Sequence, residues 1–273
     1  MVVCSELCGT SKAQAHSSIH KMIRVLCSHL KKFVKFPQNE QLRRIELEFR
    51  QKKGFPGVIG CVDGTHIAVN VPASDTRETF RNRKGYLSLN CQMICGPKGE
   101  IFDVISSWPG STHDGRMWRE SKVSNQVRCL SDEFHVLGDS AYPLQMNLMS
   151  PYKNPQNRSE SNKLFYIIHV KNNLGRFNYK HSATRMAIEK AYGVIKRRFP
   201  LLKFGLRFKK VVDSANCIAA AVVLHNICLL HDDDLNNFDE ENEPAGDDEP
   251  DEEIFEEDST EAKAKRNYIM NTL

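Results

Sequence analysis

The chain has 273 residues, 40% of them hydrophobic, with 38 Lys+Arg against 34 Asp+Glu, which allows one large domain plus an appendage and a sizeable core. No N-terminal stretch has the charged, apolar and small-residue succession of a secretory signal. No uncharged apolar run reaches the ~20 residues of a membrane span, since the best candidate, 217–230, is short and holds His225 and Asn226. A soluble intracellular protein with no membrane partner is expected.

The nine cysteines are scattered, with no Cys-x-x-Cys pair, and read as reduced, mostly buried thiols. Cys4, Cys8, His16 and His20 superficially suggest a zinc finger, but the Cys8–His16 gap falls well short of the ~12 residues such fingers use. The overall charge of +4 conceals a division. Residues 1–231 hold 35 Lys+Arg against 17 Asp+Glu, a net of +18, whereas residues 232–258 hold 16 Asp+Glu and no Lys or Arg. A basic body points to a polyanion, with nucleic acid first. The tail from 232 to 273 is expected to be acidic and disordered, either a solvated tail or a tethered competitor for the basic surface.

In chain order, residues 1–31 read as two helices, Val2–Cys8 and a longer one from the N-cap Ser11 toward Leu30, around a Gly9-Thr10 turn. This resembles a helix-turn-helix lacking its supporting first helix, and Lys12, Lys21 and Arg24 on the outer face are candidates to meet DNA. Residues 32–57 form a connecting segment, with a helix from about Asn39 to Lys53 stopped by Gly54. Val58 to Val69 reads as a strand covered on both faces, with Asp63 among Ile59, Cys61, Ile67 and Val69. An Asp63-Gly64 turn splitting two short strands is the alternative. Arg81, Arg83 and Lys84 then mark a basic loop, and Leu87–Cys95 alternates between apolar and polar faces. A Gly96–Gly99 turn follows, and Ile101–Trp108 returns as a third strand.

Ser111 and Asp114 have capping-box spacing ahead of a helix through Trp118, which gives Asp114 a purely structural explanation beside a functional one. Phe134–Ser140 reads as a short buried strand ending in Asp139, the position where open α/β sheets present ligand groups. Residues 150–180 read as an inserted loop or lid. A helix follows from His181 to Phe199, with Glu189 at the edge of its apolar stripe and Lys196 two turns on. The last helix, from Asp213 to Leu230, is apolar nearly all round, with His225 and Asn226 as satisfied core polar groups.

Strand with Asp, hairpin, helix, strand ending in Asp, insertion, helix with Glu is a ribonuclease H-like order. It predicts an α/β fold with a mixed sheet flanked by helices, beside a small, truncated helical region at the N-terminus. Three converging carboxylates form a hard-oxygen site suited to Mg²⁺ or Mn²⁺, and two such ions activate water and stabilise the leaving oxygen of a phosphodiester.

Val62-Asp63-Gly64-Thr65-His66, Asn82-Arg83-Lys84-Gly85-Tyr86, Trp108-Pro109-Gly110-Ser111 with His113-Asp114, Leu137-Gly138-Asp139-Ser140, Ile188-Glu189-Lys190 and Leu224-His225-Asn226-Ile227 together resemble PIF/Harbinger-type DDE transposases. Within that group the chain resembles the transposase-derived nucleases of Harbinger descent. The resemblance covers residues 1–230 and implies a DDE nuclease domain over 58–231 with Asp63, Asp139 and Glu189 as the catalytic triad. It adds Asp114 as a further metal-site acid, while Lys196, on the helix face of Glu189, is a candidate DNA contact because a carboxylate and a cation on one face suit a metal and the phosphate beside it. It also implies a divalent cation, DNA as substrate, a partner with a Myb-like DNA-binding domain, and residence in the nucleus as well as the cytoplasm. A fold-preserving but inactive DNA- or chromatin-binding adaptor is the alternative.

Overall fold

Val58–Ala68 form one unbroken strand, β1, in the middle of the sheet. That continuity excludes the Asp-Gly hairpin at residues 63–64. The computed structural model describes residues 6–152, 173–231 and 259–273. β1 pairs antiparallel with β2 (Ser88–Cys95), Asp63 opposite Met93 and Gly64 opposite Gln92. β2 pairs antiparallel with β3 (Ile101–Pro109). On its other edge β1 runs parallel to β4 (His135–Leu137), and β4 parallel to the two-residue β5 (Leu148–Met149). The order β3-β2-β1-β4-β5 is the ribonuclease H-like mixed sheet that the sequence predicts. The alternation of β2 also holds, but both of its faces are buried, so its Ser88, Asn90 and Gln92 are interior polar groups.

Ser11 caps α1 (Lys12–Ser28), accepting a hydrogen bond from the Gln14 amide at 3.2 Å. The helix ends two residues before the expected Leu30, and the single turn α2 (Leu30–Phe33) follows. α1 lies against α8 (Val211–Leu230), where the Cys27 thiol donates to the Asn216 carbonyl at 3.2 Å. The expected first helix, Val2–Cys8, falls mostly outside the described residues. α3 (Glu40–Lys53) buries Leu42, Ile45 and Phe49 and ends at Gly54, whose φ of 70° is the left-handed value a glycine cap adopts.

α4 (Asp114–Glu120) departs from expectation at its start. Its N-cap is His113, Asp114 is the first helical residue, and the Ser111 amide donates to the Thr79 carbonyl at 3.1 Å. The capping box therefore does not form, because the short 3-10 helix Arg77–Phe80 takes up the Ser111 amide, and Asp114 is released for another partner. α5 (Lys122–Arg128) follows.

α6 (Asn173–Arg198) begins eight residues before the expected His181. Phe177 is fully buried, edge-on to Phe55 at 5.2 Å and to Tyr152 at 5.1 Å. The Asn178 side chain donates to the Tyr152 carbonyl and accepts from its amide. One apolar anchor in a polar stretch thus extends the helix. The remainder of the expected lid, 153–172, lies outside the described residues. Pro200 opens the short α7 (Pro200–Phe204).

The tail expectation needs correction at its end. Residues 260–272 form α9, capped by Ser259, and bury Ala262 and Ile269. Lys265 donates to the carbonyls of Phe134 (3.2 Å) and Met146 (2.6 Å), and Arg266 lies 4.0 Å from the centre of the Tyr152 ring. This end is basic rather than acidic, which lets it dock on carbonyls and an aromatic face. The acidic run itself, 232–258, lies outside the described residues.

α8 is long and apolar enough to cross a membrane, but here it packs along β3, α1 and α2. His225 Nε2 donates to the Gly99 carbonyl at 2.9 Å. Asn226 Oδ1 accepts from the Ile101 amide (2.9 Å), while its Nδ2 donates to the carbonyls of Ile101 (2.7 Å) and Phe33 (2.8 Å). Asn226 therefore joins α8, the start of β3 and α2 through one amide. Replacing it with Ala strands buried backbone groups, and Asn226→Ala should lose about 2–3 kcal/mol in urea denaturation.

Candidate active site

Side chains alternate along β1, so Cys61, Asp63 and Thr65 share one face. α6 lies across that face. The Cys61 thiol reaches the Thr184 carbonyl at 3.6 Å, Arg185 donates to Asp63 Oδ2 at 2.8 Å, and Lys196 donates to Thr65 Oγ1 at 2.8 Å. The same Arg185 guanidinium donates to Glu189 one turn along the helix. Tyr192 donates its hydroxyl hydrogen to the Asp63 backbone carbonyl at 2.6 Å. Asp63 Oδ1 accepts from the Gly64 amide at 2.9 Å. Arg185, Asp63 and Glu189 leave only 18%, 17% and 30% of their side chains exposed.

Asp139 lies two residues past the end of β4, its Oδ1 accepting from the Ala141 amide at 3.0 Å. It is near enough to act on the charges of both Asp63 and Arg185. Asp114 comes from the opposite face of β1. A Cβ at Gly64 would stand 2.4–2.7 Å from the Asp114 carboxylate, so this carboxylate occupies the space a side chain would fill. Asn90 Nδ2 fixes it there, donating to Asp114 Oδ1 and to the Thr112 carbonyl, both at 2.9 Å. The structure thus brings Asp63 and Glu189 onto one guanidinium, sets Asp139 within their electrostatic reach, and places Asp114 on the reverse of the strand.

Burial pushes the Asp63 carboxyl up to about 7; Arg185 opposes the shift, and Asp139 and Asp114 add to it. Burial works against the Arg185 charge, but Asp63, Glu189 and Asp139 outweigh it and hold the guanidinium firmly protonated. One cation thus faces more negative charge than it neutralises. Among the described residues no group of three or more His, Cys, Asp or Glu is arranged to hold a metal ion as it stands, and a guanidinium lies between two of the acids. The donor set nonetheless fits a hard divalent cation, being carboxylates alone with no sulfur or imidazole.

The expected DNA contacts divide. Lys12, Lys21 and Arg24 lie exposed on α1. Arg81 is engaged within its own loop, donating to Glu78 (2.7 and 3.1 Å) and to the Gly85 carbonyl (2.6 Å), so it shapes that loop. Arg83 meets His113 Nδ1 at 2.9 Å, next to Asp114, and Lys84 is exposed. Lys196 lies on the same face of β1 as Asp63. Sequence reasoning missed Arg185, Tyr192 and Asn90. A signal existed for Arg185, since it precedes Glu189 by the four residues that place ion pairs on one helix face.

A sheet of this order flanked by helices, with acids on its central strand and on α6, is a ribonuclease H-like arrangement. The family described as DDE superfamily endonuclease matches residues 62–226, and the chain belongs to it. Among curated proteins it is 34% identical over 232 residues to "Putative nuclease HARBI1" of Bos taurus, covering 83% of this chain and 62% of that one. It is 32% identical over the same length to "Putative nuclease HARBI1" of Homo sapiens. It is 24% identical to "Protein ALP1-like" of Arabidopsis thaliana over 208 residues, 71% of this chain and 48% of that one. The chain therefore spans less than two thirds of these relatives' length. No solved structure matches it. The assignment to a transposase-derived nuclease family agrees with the sequence motifs.

Two predictions follow from this geometry. The folded value of Asp63, about 7, lies above its ordinary 3.8. The stability that its proton contributes is therefore fully present below about pH 4 and is lost as pH rises through about 7. In chelator-treated protein, the melting-temperature advantage of Asp63→Asn over the wild type should grow between those values and level off above them. Gly64→Ala should push Asp114 off Asn90 and cost about 1–3 kcal/mol in urea denaturation, as overpacking does.

Proposed function

We propose that this protein is a divalent-metal-dependent DNA endonuclease that hydrolyses phosphodiesters at the Asp63, Asp139 and Glu189 acids, with Asp114, held by Asn90 on the reverse of β1, acting on Asp63 by its charge rather than as the metal-site acid the resemblance implied. The observation that carries the reading is the meeting of Asp63 on β1 with Glu189 on α6 at one half-buried point, beside Asp139. The family membership and the relatives named as nucleases support it. Mg²⁺ or Mn²⁺, bound as one ion or a pair, supplies Lewis-acid activation of water and charge relief at the leaving oxygen.

The chain's own groups do the rest. The three acids would supply the hard-oxygen ligands that hold the cation, and Tyr192 fixes the β1 backbone at Asp63. Lys196, Arg83 and Lys84, with Lys12, Lys21 and Arg24 on α1, hold the DNA backbone by charge. DNA as substrate, a partner with a Myb-like domain, and a nuclear setting shared with the cytoplasm complete the proposal; the last two rest on family resemblance alone.

With Mg²⁺ or Mn²⁺ the purified protein should nick plasmid DNA. Asp63→Asn, Asp139→Asn and Glu189→Gln should each reduce the rate by at least about a hundredfold. Undiminished cutting by Asp63→Asn would refute the assignment.

One observation favours a second reading, a DNA- or chromatin-binding adaptor without catalysis: Arg185 already partners two of the acids. On that reading DNA binding is salt-sensitive and indifferent to Asp63→Asn, and no metal yields cleavage.

A further inference from the structure

We infer that Arg185 is a positioning residue that acts by ion exchange: its guanidinium occupies, between Asp63 and Glu189, the place a divalent cation takes, so that bridge and bound metal exclude each other at these oxygens. The inference rests on the metal-site reading above and concerns how that site is held before metal enters.

Three features carry it. The guanidinium is a planar fork that serves two carboxylates at once. Here it spans an acid on the central strand and an acid one helical turn from its own Cα. It is also tucked under α6 rather than spread on the surface, so its bonds compete in a weakly screened environment where a second cation at the same oxygens meets strong repulsion. Finally, the acids cannot easily stand alone. Two carboxylates this close and this buried need a cation between them, and the Arg185 guanidinium, 2.8 Å from Asp63 Oδ2 and bonded to Glu189, is that cation in the metal-free chain.

The guanidinium therefore keeps β1 and α6 together in the metal-free chain. Metal binding draws Asp63 and Glu189 away from it, and the arm swings toward the rim. By linkage, the bridge weakens metal binding by the same factor as metal weakens the bridge.

The test uses the full chain and Mn²⁺ alone, titrated calorimetrically and followed in parallel by thermal melting. Arg185→Gln removes the resident cation while keeping a polar side chain. It should bind Mn²⁺ on the order of tenfold more tightly than the wild type. Its metal-free form should melt lower, and its gain in melting temperature on adding Mn²⁺ should be larger. Arg185→Lys, a single-point cation unable to span both acids, should shift affinity in the same direction by less, and it keeps the test decisive if the Gln variant fails to fold.

A side chain that merely braces the helix would behave otherwise. Folded Arg185→Gln or Arg185→Lys with unchanged or weaker Mn²⁺ affinity would overturn the inference. If in that case the wild type binds Mn²⁺ and Asp63→Asn abolishes the binding, the metal-site reading survives and only the exchange role of Arg185 falls. If neither the wild type nor the Arg185 variants bind Mn²⁺, both fall.

Discussion

Everything in this site depends on placing a carboxylate in the middle of the central strand. Asp63 stands on β1 with Cys61 and Ile67 buried on the same face, where an unpaired charge is far too costly to keep. The fold meets that cost with donors from several directions. Arg185 and the Gly64 amide serve the carboxylate, and Tyr192 serves the carbonyl of the same residue. The compensation is incomplete, since the Asp63 carboxyl remains raised. An interior position selected only for stability would hold an apolar residue of similar size, because replacing buried ion pairs by such residues is often neutral or favourable. Retaining three acids around one guanidinium is therefore better explained by chemistry than by stability.

The opposite face of the same strand carries a second polar layer. Gly64, Asn90 and Asp114 are mutually dependent there: the missing Cβ admits the carboxylate, and the amide holds it. Nearby, His66 meets Ser88 at 3.1 Å, Asn82 donates to the same hydroxyl at 3.1 Å, and Tyr142 donates to Gln92 at 3.3 Å. A sheet that is polar on both faces around one residue has little freedom to slip. Moving the register by one would exchange Asp63 for Gly64 beneath α6 and leave Arg185 facing no acid.

These relations explain what was legible in the sequence. The first four strands followed from patterns that local physics enforces, two-residue alternation in β2, a glycine turn at 96–99 and the acid just past β4, whereas the two-residue β5 carries no such pattern. The site was legible only as separate acids. Asp63 could be found as a carboxylate on an apolar strand face, Asp139 as an acid just past a strand end and Glu189 at the edge of an apolar stripe, but the counter-ion shared by Asp63 and Glu189 was passed over, because an Arg on a helix reads as surface. The beginning of α6 was hidden for a related reason. Its first turns are polar, and they are held by Phe177 against Phe55 and Tyr152 and by Asn178 on the Tyr152 backbone, contacts between residues far apart in the chain. Asp114 illustrates the reverse error. Its spacing from Ser111 gave a local explanation, and a tertiary bond from the Ser111 backbone to Thr79 removed it.

α6 reconciles two periods that do not match. From Arg185 to Lys196 it advances about 16 Å at 1.5 Å per residue, while their partners Asp63 and Thr65 lie only about 7 Å apart along β1. Helix and strand can be fastened at both points only if the helical side chains are long enough to lean inward. Arg, Tyr and Lys at 185, 192 and 196 are long side chains of this kind, and each ends in a hydrogen-bond donor that finds an oxygen on β1. Shorter residues at these places would remove three of the anchors that fix the helix along β1, leaving its apolar stripe and the weaker Cys61–Thr184 contact to hold it there. Glu189 sits between these anchors and owes its place beside Asp63 to them. The donors that keep α6 in register are thus also what brings the third acid to the site, so stability of the helix seat and assembly of the carboxylates cannot be varied independently.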